Sequence, residues 1–124
     1  MGDMVQVWRG GYYHVAIYLG ATWDGRDYIH NAKGDCVSFA TQDEFSKGAP
    51  VTLRKAALND FSHRQAIVNR ATSLIGKKYD LINFNCEHFA TYAQTGQAES
   101  PQLAGAVCLG LAGLFLAAVA LRRS

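Results

Sequence analysis

The stretch YYHVAIYL, residues 12–19, decides the fold class because it is the strongest strand pattern in the chain. Its apolar residues alternate with a period of two, which predicts a half-buried β-strand. Residues 4–9 also alternate, and the Gly10-Gly11 pair between the two segments indicates a turn. The two segments therefore predict a β-hairpin at the start of the chain.

Shorter patterns extend this hairpin into a domain. Three further strands are predicted at residues 28–30, 36–39 and 51–54. Helical spacing follows a capping-box pattern of Ser62 and Gln65, and this helix stops at Gly76. A second helix is predicted to follow Asn85 as its N-cap and to end at Gly96. A small antiparallel sheet with two helices is an α+β domain.

Charge is distributed unevenly along the chain, although the formal net charge is only +2. Residues 1–101 carry 10 basic and 10 acidic side chains, so the excess comes from Arg122 and Arg123. A neutral domain lacks the basic face that nucleic-acid binding requires. Nucleic acid is therefore not an expected partner.

The C-terminal stretch, residues 103–121, has the composition of a membrane span. It contains no charged residue, and 16 of its 19 residues are apolar. As a helix it would be about 28 Å long, close to the hydrocarbon thickness of a bilayer. We expect a single-pass tail anchor here, joined by a linker (97–102) to a domain (1–96) that faces the cytosol. The endoplasmic reticulum, peroxisome and mitochondrion stay open as the organelle, and a buried core helix is the alternative to an anchor.

Cys86 is the candidate nucleophile, since it opens the helix that follows the predicted N-cap. The free N–H groups and the positive dipole end at this position favour the thiolate. A cysteine nucleophile needs a base within hydrogen-bond reach, and His14 on the long strand is a candidate. His30, at the end of the next strand, is placed to orient the His14 ring. Of the other histidines, His63 lies at a helix start and His88 points away from the thiol.

Each of these residues also has a structural interpretation. Strand histidines are more often structural than catalytic, and a lone cysteine is usually a small buried hydrophobe, as we expect for Cys36 and Cys108. Three widely spaced cysteines fit a reducing compartment without a disulfide framework. A zinc site of Cys36, Cys86 and His88 would lack a fourth ligand and a familiar spacing. We expect no metal, and spacing alone leaves a Cys–His enzyme open beside a structural role.

The local sequence adds a family resemblance to these spacings. The motif NCEHF at residues 85–89, preceded by YDL at 79–81, resembles the signature of the lecithin–retinol acyltransferase family, which includes small phospholipase A/acyltransferases. The motif HVAIYLG at residues 14–20 is similar to the family's histidine-containing block. The hydrophobic stretch after SPQ, residues 100–102, is also in the expected place. The resemblance therefore covers nearly the whole chain.

This resemblance implies a fold, a site and a reaction. The fold is papain-like α+β, circularly permuted so that the histidine strand precedes the cysteine helix. The site is a Cys-His-His triad with Cys86 as nucleophile, His14 as base and His30 as the orienting residue. The reaction transfers an acyl group from a membrane glycerophospholipid to Cys86, and then from this thioester to water, an amine or an alcohol. No metal or organic cofactor is required.

The chain departs from the family pattern in three respects. Val15 stands where the phospholipase A/acyltransferases carry an aromatic residue, and the interval from His14 to His30 is longer. The extra segment associated with retinol esterification is absent, so a retinoid acceptor is not expected. Two other functions stay open: an isopeptidase for ubiquitin-like proteins on a permuted papain-like fold, and an inactive membrane or interaction module of the same fold.

Overall fold

The computed structural model describes residues 1–108 as an antiparallel sheet packed between helices. The elements in chain order are β1 (Met4–Trp8), β2 (Tyr13–Tyr18), β3 (Tyr28–Asn31), β4 (Val37–Ala40), α1 (Gln42–Ser46), β5 (Thr52–Lys55), α2 (Phe61–Ser73), α3 (Cys86–Thr95) and α4 (Pro101–Cys108). The five strands lie in the order β4-β3-β2-β1-β5. The predicted α+β class and antiparallel sheet are therefore confirmed, whereas residues 1–96 contain three helices instead of the two expected in the domain.

The predicted hairpin is the centre of this sheet. β1 and β2 pair in one register from Met4↔Ile17 to Trp8↔Tyr13. Because side chains alternate along β2, Val15 packs into the core beneath α2 and α3, and His14 points to the opposite face. Both faces of β2 are covered, and His14 is only 1% exposed. The strand thus places an imidazole in a fully desolvated position.

α1 covers the histidine face, and the sequence pattern did not predict it. Thr41 caps α1, and Glu44 completes a capping box by accepting from the Thr41 main-chain N–H. A helix of five residues is too short to display a helical period, which explains why it escaped prediction. Its residue Phe45 is fully buried and stacks on Tyr28 with ring centroids 4.9 Å apart. α1 therefore closes the second core of the domain.

α2 begins two residues earlier than the sequence indicated. The Asp60 carboxylate accepts a hydrogen bond from the His63 main-chain N–H, so Asp60 is the N-cap and the predicted capping box of Ser62 and Gln65 is wrong. Aspartate and serine are about equally good N-caps, and here the aspartate comes first along the chain. α2 then buries Ile67 in the core that it shares with α3.

The predicted single-pass membrane localisation is corrected by the structure. Within residues 1–108, no helix has both the length and the apolar character needed to cross a bilayer. The described α4 has eight residues, about 12 Å as a helix, against a hydrocarbon core of about 30 Å. The rest of the predicted span, residues 109–121, lies outside the described residues. The prediction of a membrane-spanning protein that faces the cytosol has no support in the described structure and does not stand.

Candidate active site

His14 and His30 form a buried pair on the face of the sheet that α1 covers. The register of β2 and β3 pairs Ala16 with His30, which brings the second imidazole beside the first. His14 Nε2 lies 3.0 Å from His30 Nδ1. Phe45 packs against both rings, with centroid distances of 5.5 Å to His14 and 6.1 Å to His30. The sheet register and the packing of Phe45 fix the orientation of the His14 ring.

Burial keeps both imidazoles neutral near neutral pH. Desolvation, followed by the influence of His30, lowers the pKa of His14 well below its ordinary 6.5. Desolvation, followed by the Arg9 charge, lowers the pKa of His30 to about 4. A neutral imidazole has a free lone pair, so either ring is able to accept a proton. The site therefore offers a base rather than a resident positive charge.

The nitrogen of His14 that is available for chemistry is Nδ1. This atom is buried and has no hydrogen-bond partner within residues 1–108. For Nδ1 to carry the lone pair, Nε2 must carry the hydrogen, and it then donates to His30 Nδ1. The pair is thus arranged as a proton acceptor with a second imidazole behind it, which would share the charge after protonation.

Cys86 opens α3, as the sequence predicted, and is 3% exposed. The Asn85 side chain accepts from the His88 main-chain N–H, and the Asn85 N–H donates to His88 Nδ1. This reciprocal capping box turns His88 toward the N-cap, outside the histidine pair. α3 packs against β2, where Cys86 and Val15 share one buried core and the Val15 main-chain N–H acts to lower the pKa of the thiol. Because Val15 directly follows His14, this contact brings the cysteine helix against the strand of the candidate base.

The ionisation of Cys86 differs from the expectation based on its helix position. Burial raises the pKa of the thiol to about 11, and the charge of Glu87 also acts to raise it. The main-chain N–H groups of Val15, Glu87 and Cys86 itself lower the pKa, but they are outweighed. Desolvation thus dominates the helix N-terminus. The resting site holds a neutral thiol and a neutral imidazole pair, and within residues 1–108 no hydrogen bond joins His14 Nδ1 to the thiol. A reaction therefore requires proton removal as the substrate arrives.

Arg9 is a polar residue of this region whose role the sequence did not reveal. Its guanidinium donates to the main-chain oxygens of Phe45 at 2.6 Å and Ser46 at 3.3 Å. Its positive charge acts to lower the pKa of both histidines, and Cys86 acts to raise the pKa of Arg9. In the sequence, Arg9 is only the last residue of the predicted strand 4–9. Arg9 holds α1 over the histidine face through contacts that local patterns do not encode.

A cavity of about 630 Å³ lies on the His88 side of α3. Its lining consists of His88, Ala98, Glu99, Ser100, Pro101, Leu103 and Ala104. Neither Cys86 nor the histidine pair contributes to this lining, so the cavity is separate from the reactive atoms. In the part of the chain that the structure describes, no three His, Cys, Asp or Glu side chains are grouped to hold a metal ion.

Fold and site together define a small α+β protein with a candidate cysteine–histidine active site. The family model described as lecithin retinol acyltransferase matches residues 1–99. The chain belongs to that family. The resemblance indicated by the NCEHF and HVAIYLG motifs is therefore confirmed.

The similar proteins are all named phospholipase A and acyltransferase. Human phospholipase A and acyltransferase 1 is 32% identical, with 82% of this chain and 70% of the relative covered. Human phospholipase A and acyltransferase 2 is 31% identical, with coverage of 98% and 86%. Mouse phospholipase A and acyltransferase 3 is 29% identical, with coverage of 97% and 86%. The similarity extends over most of each chain, and the family model, which matches residues 1–99, includes both the strand of His14 and the helix of Cys86.

Proposed function

We propose that this chain is a thiol-dependent phospholipase A and acyltransferase that acts on glycerophospholipids. The observation that carries the proposal is the buried His14–His30 pair, whose free Nδ1 belongs to the strand on which the helix of Cys86 packs. The family match and the names of the relatives support the lipid substrate. Those names also favour this function over an isopeptidase.

The first half of the reaction forms a thioester on Cys86. His14 Nδ1 removes the thiol proton as the sulfur attacks the carbonyl carbon of a fatty-acyl ester. The ester C–O bond breaks, and the leaving lysophospholipid oxygen takes the proton back from His14. Main-chain N–H groups at the start of α3 are suited to stabilise the oxyanion that develops. His30 Nδ1 holds the Nε2–H of His14 throughout and shares the charge of the imidazolium.

The second half releases the acyl group. Water, an amine or an alcohol attacks the thioester carbon, and His14 Nδ1 accepts a proton from the attacking group. The C–S bond breaks, and the Cys86 thiolate recovers a proton from His14. Water gives a free fatty acid, whereas an amine or alcohol gives an acylated product. Every proton is carried by this chain's own side chains, so the scheme requires no metal or organic cofactor.

We infer in addition that the fold is a circularly permuted relative of the papain-like fold. In this chain the histidine strand, β2, precedes the cysteine helix, α3. A Cys–His pair depends on the distance between side chains and not on their order, so both orders support the same chemistry. The proposed domain comprises residues 1–96.

Mass spectrometry of the full chain incubated with phosphatidylcholine micelles tests the proposed function. We expect an acyl adduct on Cys86, together with released fatty acid, and neither in Cys86→Ser. Cys36→Ser is a matched control, because Cys36 is half-buried outside the sheet, in an isolated bridge with Lys78, and should leave the adduct intact. A wild-type chain without adduct and without fatty-acid release would overturn the proposal. Cleavage of a fluorogenic ubiquitin-like substrate would instead identify an isopeptidase.

A further inference from the structure

We propose that Gln102 is a positioning residue that holds the strand of His14 against the helix of Cys86. This role rests on the proposed acyl-transfer function. The Gln102 carboxamide pairs with both main-chain groups of Tyr13, the residue directly before His14. Tyr13 N–H donates to Gln102 Oε1 at 2.8 Å, and Gln102 Nε2 donates to the Tyr13 carbonyl at 2.9 Å. One side chain thereby binds the end of β2 as a neighbouring strand would.

The main chain of Gln102 makes the second connection. Its N–H donates to Glu87 Oε1 at 2.8 Å, and Glu87 directly follows Cys86. Gln102 therefore contacts the sequence neighbours of both the candidate base and the candidate nucleophile. Segment 97–102, which the sequence indicated as a linker, supplies this bridge.

Glu87 is a firm anchor for the bridge because it is a buried carboxylate with several partners. It is 1% exposed, and Arg54 from β5 donates to its Oε2 at 2.6 Å. Ser100 donates to its Oε1 at 2.8 Å and also accepts from the Asn85 side chain at 3.0 Å. A buried charge is costly without partners, so these bonds hold the carboxylate in one place. The bridge is thus tied to β5 and to the N-cap of α3.

The sheet leaves a place for such a bridge. Pairing between β2 and β3 runs from Tyr18↔Tyr28 to Ala16↔His30, and it does not reach Tyr13. The end of β2 that carries His14 therefore relies on Gln102 where a third strand would otherwise continue. A displacement of about 1 Å between reacting groups is able to lower a rate about 100-fold. A side chain that fixes this strand end against α3 is accordingly placed to control the reaction rate.

The test compares Gln102→Ala with Gln65→Ala in the full chain. Gln65 is a matched control, because its amide makes a single bond to Asn69 on the same helix, α2, away from the site. For Gln102→Ala we expect kcat on phosphatidylcholine micelles to fall about tenfold with KM nearly unchanged. We also expect an altered pH profile for alkylation of Cys86 by iodoacetamide. For Gln65→Ala both measurements should match the wild type.

The alkylation profile separates this proposal from the proposed function, since it requires no lipid turnover. A wild type without fatty-acid release would remove the proposed function, and the profile would still test the bridge. Unchanged kcat and an unchanged profile in Gln102→Ala would overturn the positioning role. So would a loss of kcat that only follows a lowered melting temperature, because this indicates a structural role.

A second variant, Gln102→Glu, keeps the proposal testable should Gln102→Ala fail to fold. The introduced carboxylate still accepts from Tyr13 N–H but repels the Tyr13 carbonyl, until protonation restores a donor. We therefore expect kcat relative to wild type to be low at pH 8 and to recover toward pH 5. A constant ratio across this range would contradict the bridge.

Discussion

The histidine pair and the start of α3 differ in how far along the chain their contacts come from. His14 and His30 are 16 residues apart, and adjacent strands of one sheet bring them together. The start of α3 is held by Arg54, 33 residues from Glu87, and by Gln102, which reaches across 89 residues to Tyr13. The base is therefore built by local strand register, whereas its alignment with the nucleophile depends on distant segments.

The largest effect is expected from removing the base. In His14→Ala, fatty-acid release from phosphatidylcholine micelles should fall about 1000-fold, because general-base catalysis is lost and the thiol, with its pKa raised to about 11, stays protonated. Steady-state release of fatty acid measures this loss. His63→Ala, at the start of α2, should retain wild-type release. Comparable rates in His14→Ala and the wild type would show that His14 is not the base.

The difference between the two regions also explains how much of the fold could be predicted. Alternation is a local property, so the strands from β1 to β5 and the capped helix α3 followed from short stretches of sequence. α1 has only five residues and one buried apolar side chain, Phe45, so no period identified it. The cap of α2 depended on which of two good capping residues stands first, and the sequence pattern favoured the wrong one.

The candidate site divides in the same way. His14, His30 and Cys86 were accessible to sequence reasoning, because a strand face and a helix start are local features. Gln102 was not, because its partner Tyr13 is distant in the chain. The ionisation of Cys86 was also mispredicted, since the helix dipole is visible in sequence and burial arises only from tertiary packing.

Glu87 is the residue on which the distant contacts converge, and its substitution should give the second largest effect, a loss of stability. Glu87→Gln removes the charge that pairs with Arg54 and leaves that guanidinium largely covered, with 25% of its side chain exposed. Breaking a buried ion pair from one side should lower the free energy of unfolding by about 3 kcal/mol. Urea denaturation measures the change. Glu99→Gln, at an exposed carboxylate, is the control and should stay within about 0.5 kcal/mol of the wild type.

The histidine pair, in contrast, should make the free energy of unfolding depend on pH. A histidine whose pKa is lowered in the folded state binds fewer protons there than in the unfolded chain. Stability is therefore fully present above pH 6.5 and falls as the pH drops toward the folded pKa, which is about 4 for His30. Between pH 6.5 and 5.5, each such histidine should cost about 1 kcal/mol of unfolding free energy.

His30→Gln isolates the share of one ring in this dependence. The introduced amide oxygen still accepts from His14 Nε2 but does not titrate, so the loss between pH 6.5 and 5.5 should be smaller by about 1 kcal/mol. Urea denaturation at the two pH values provides the comparison. Near pH 8, where the histidines are neutral in both states, the unfolding free energy of variant and wild type should depend on pH in the same way. Parallel curves from pH 8 to 5.5 would mean that His30 titrates alike in both states. The pair would then not be desolvated, and the contrast with the start of α3 would rest on the distant contacts alone.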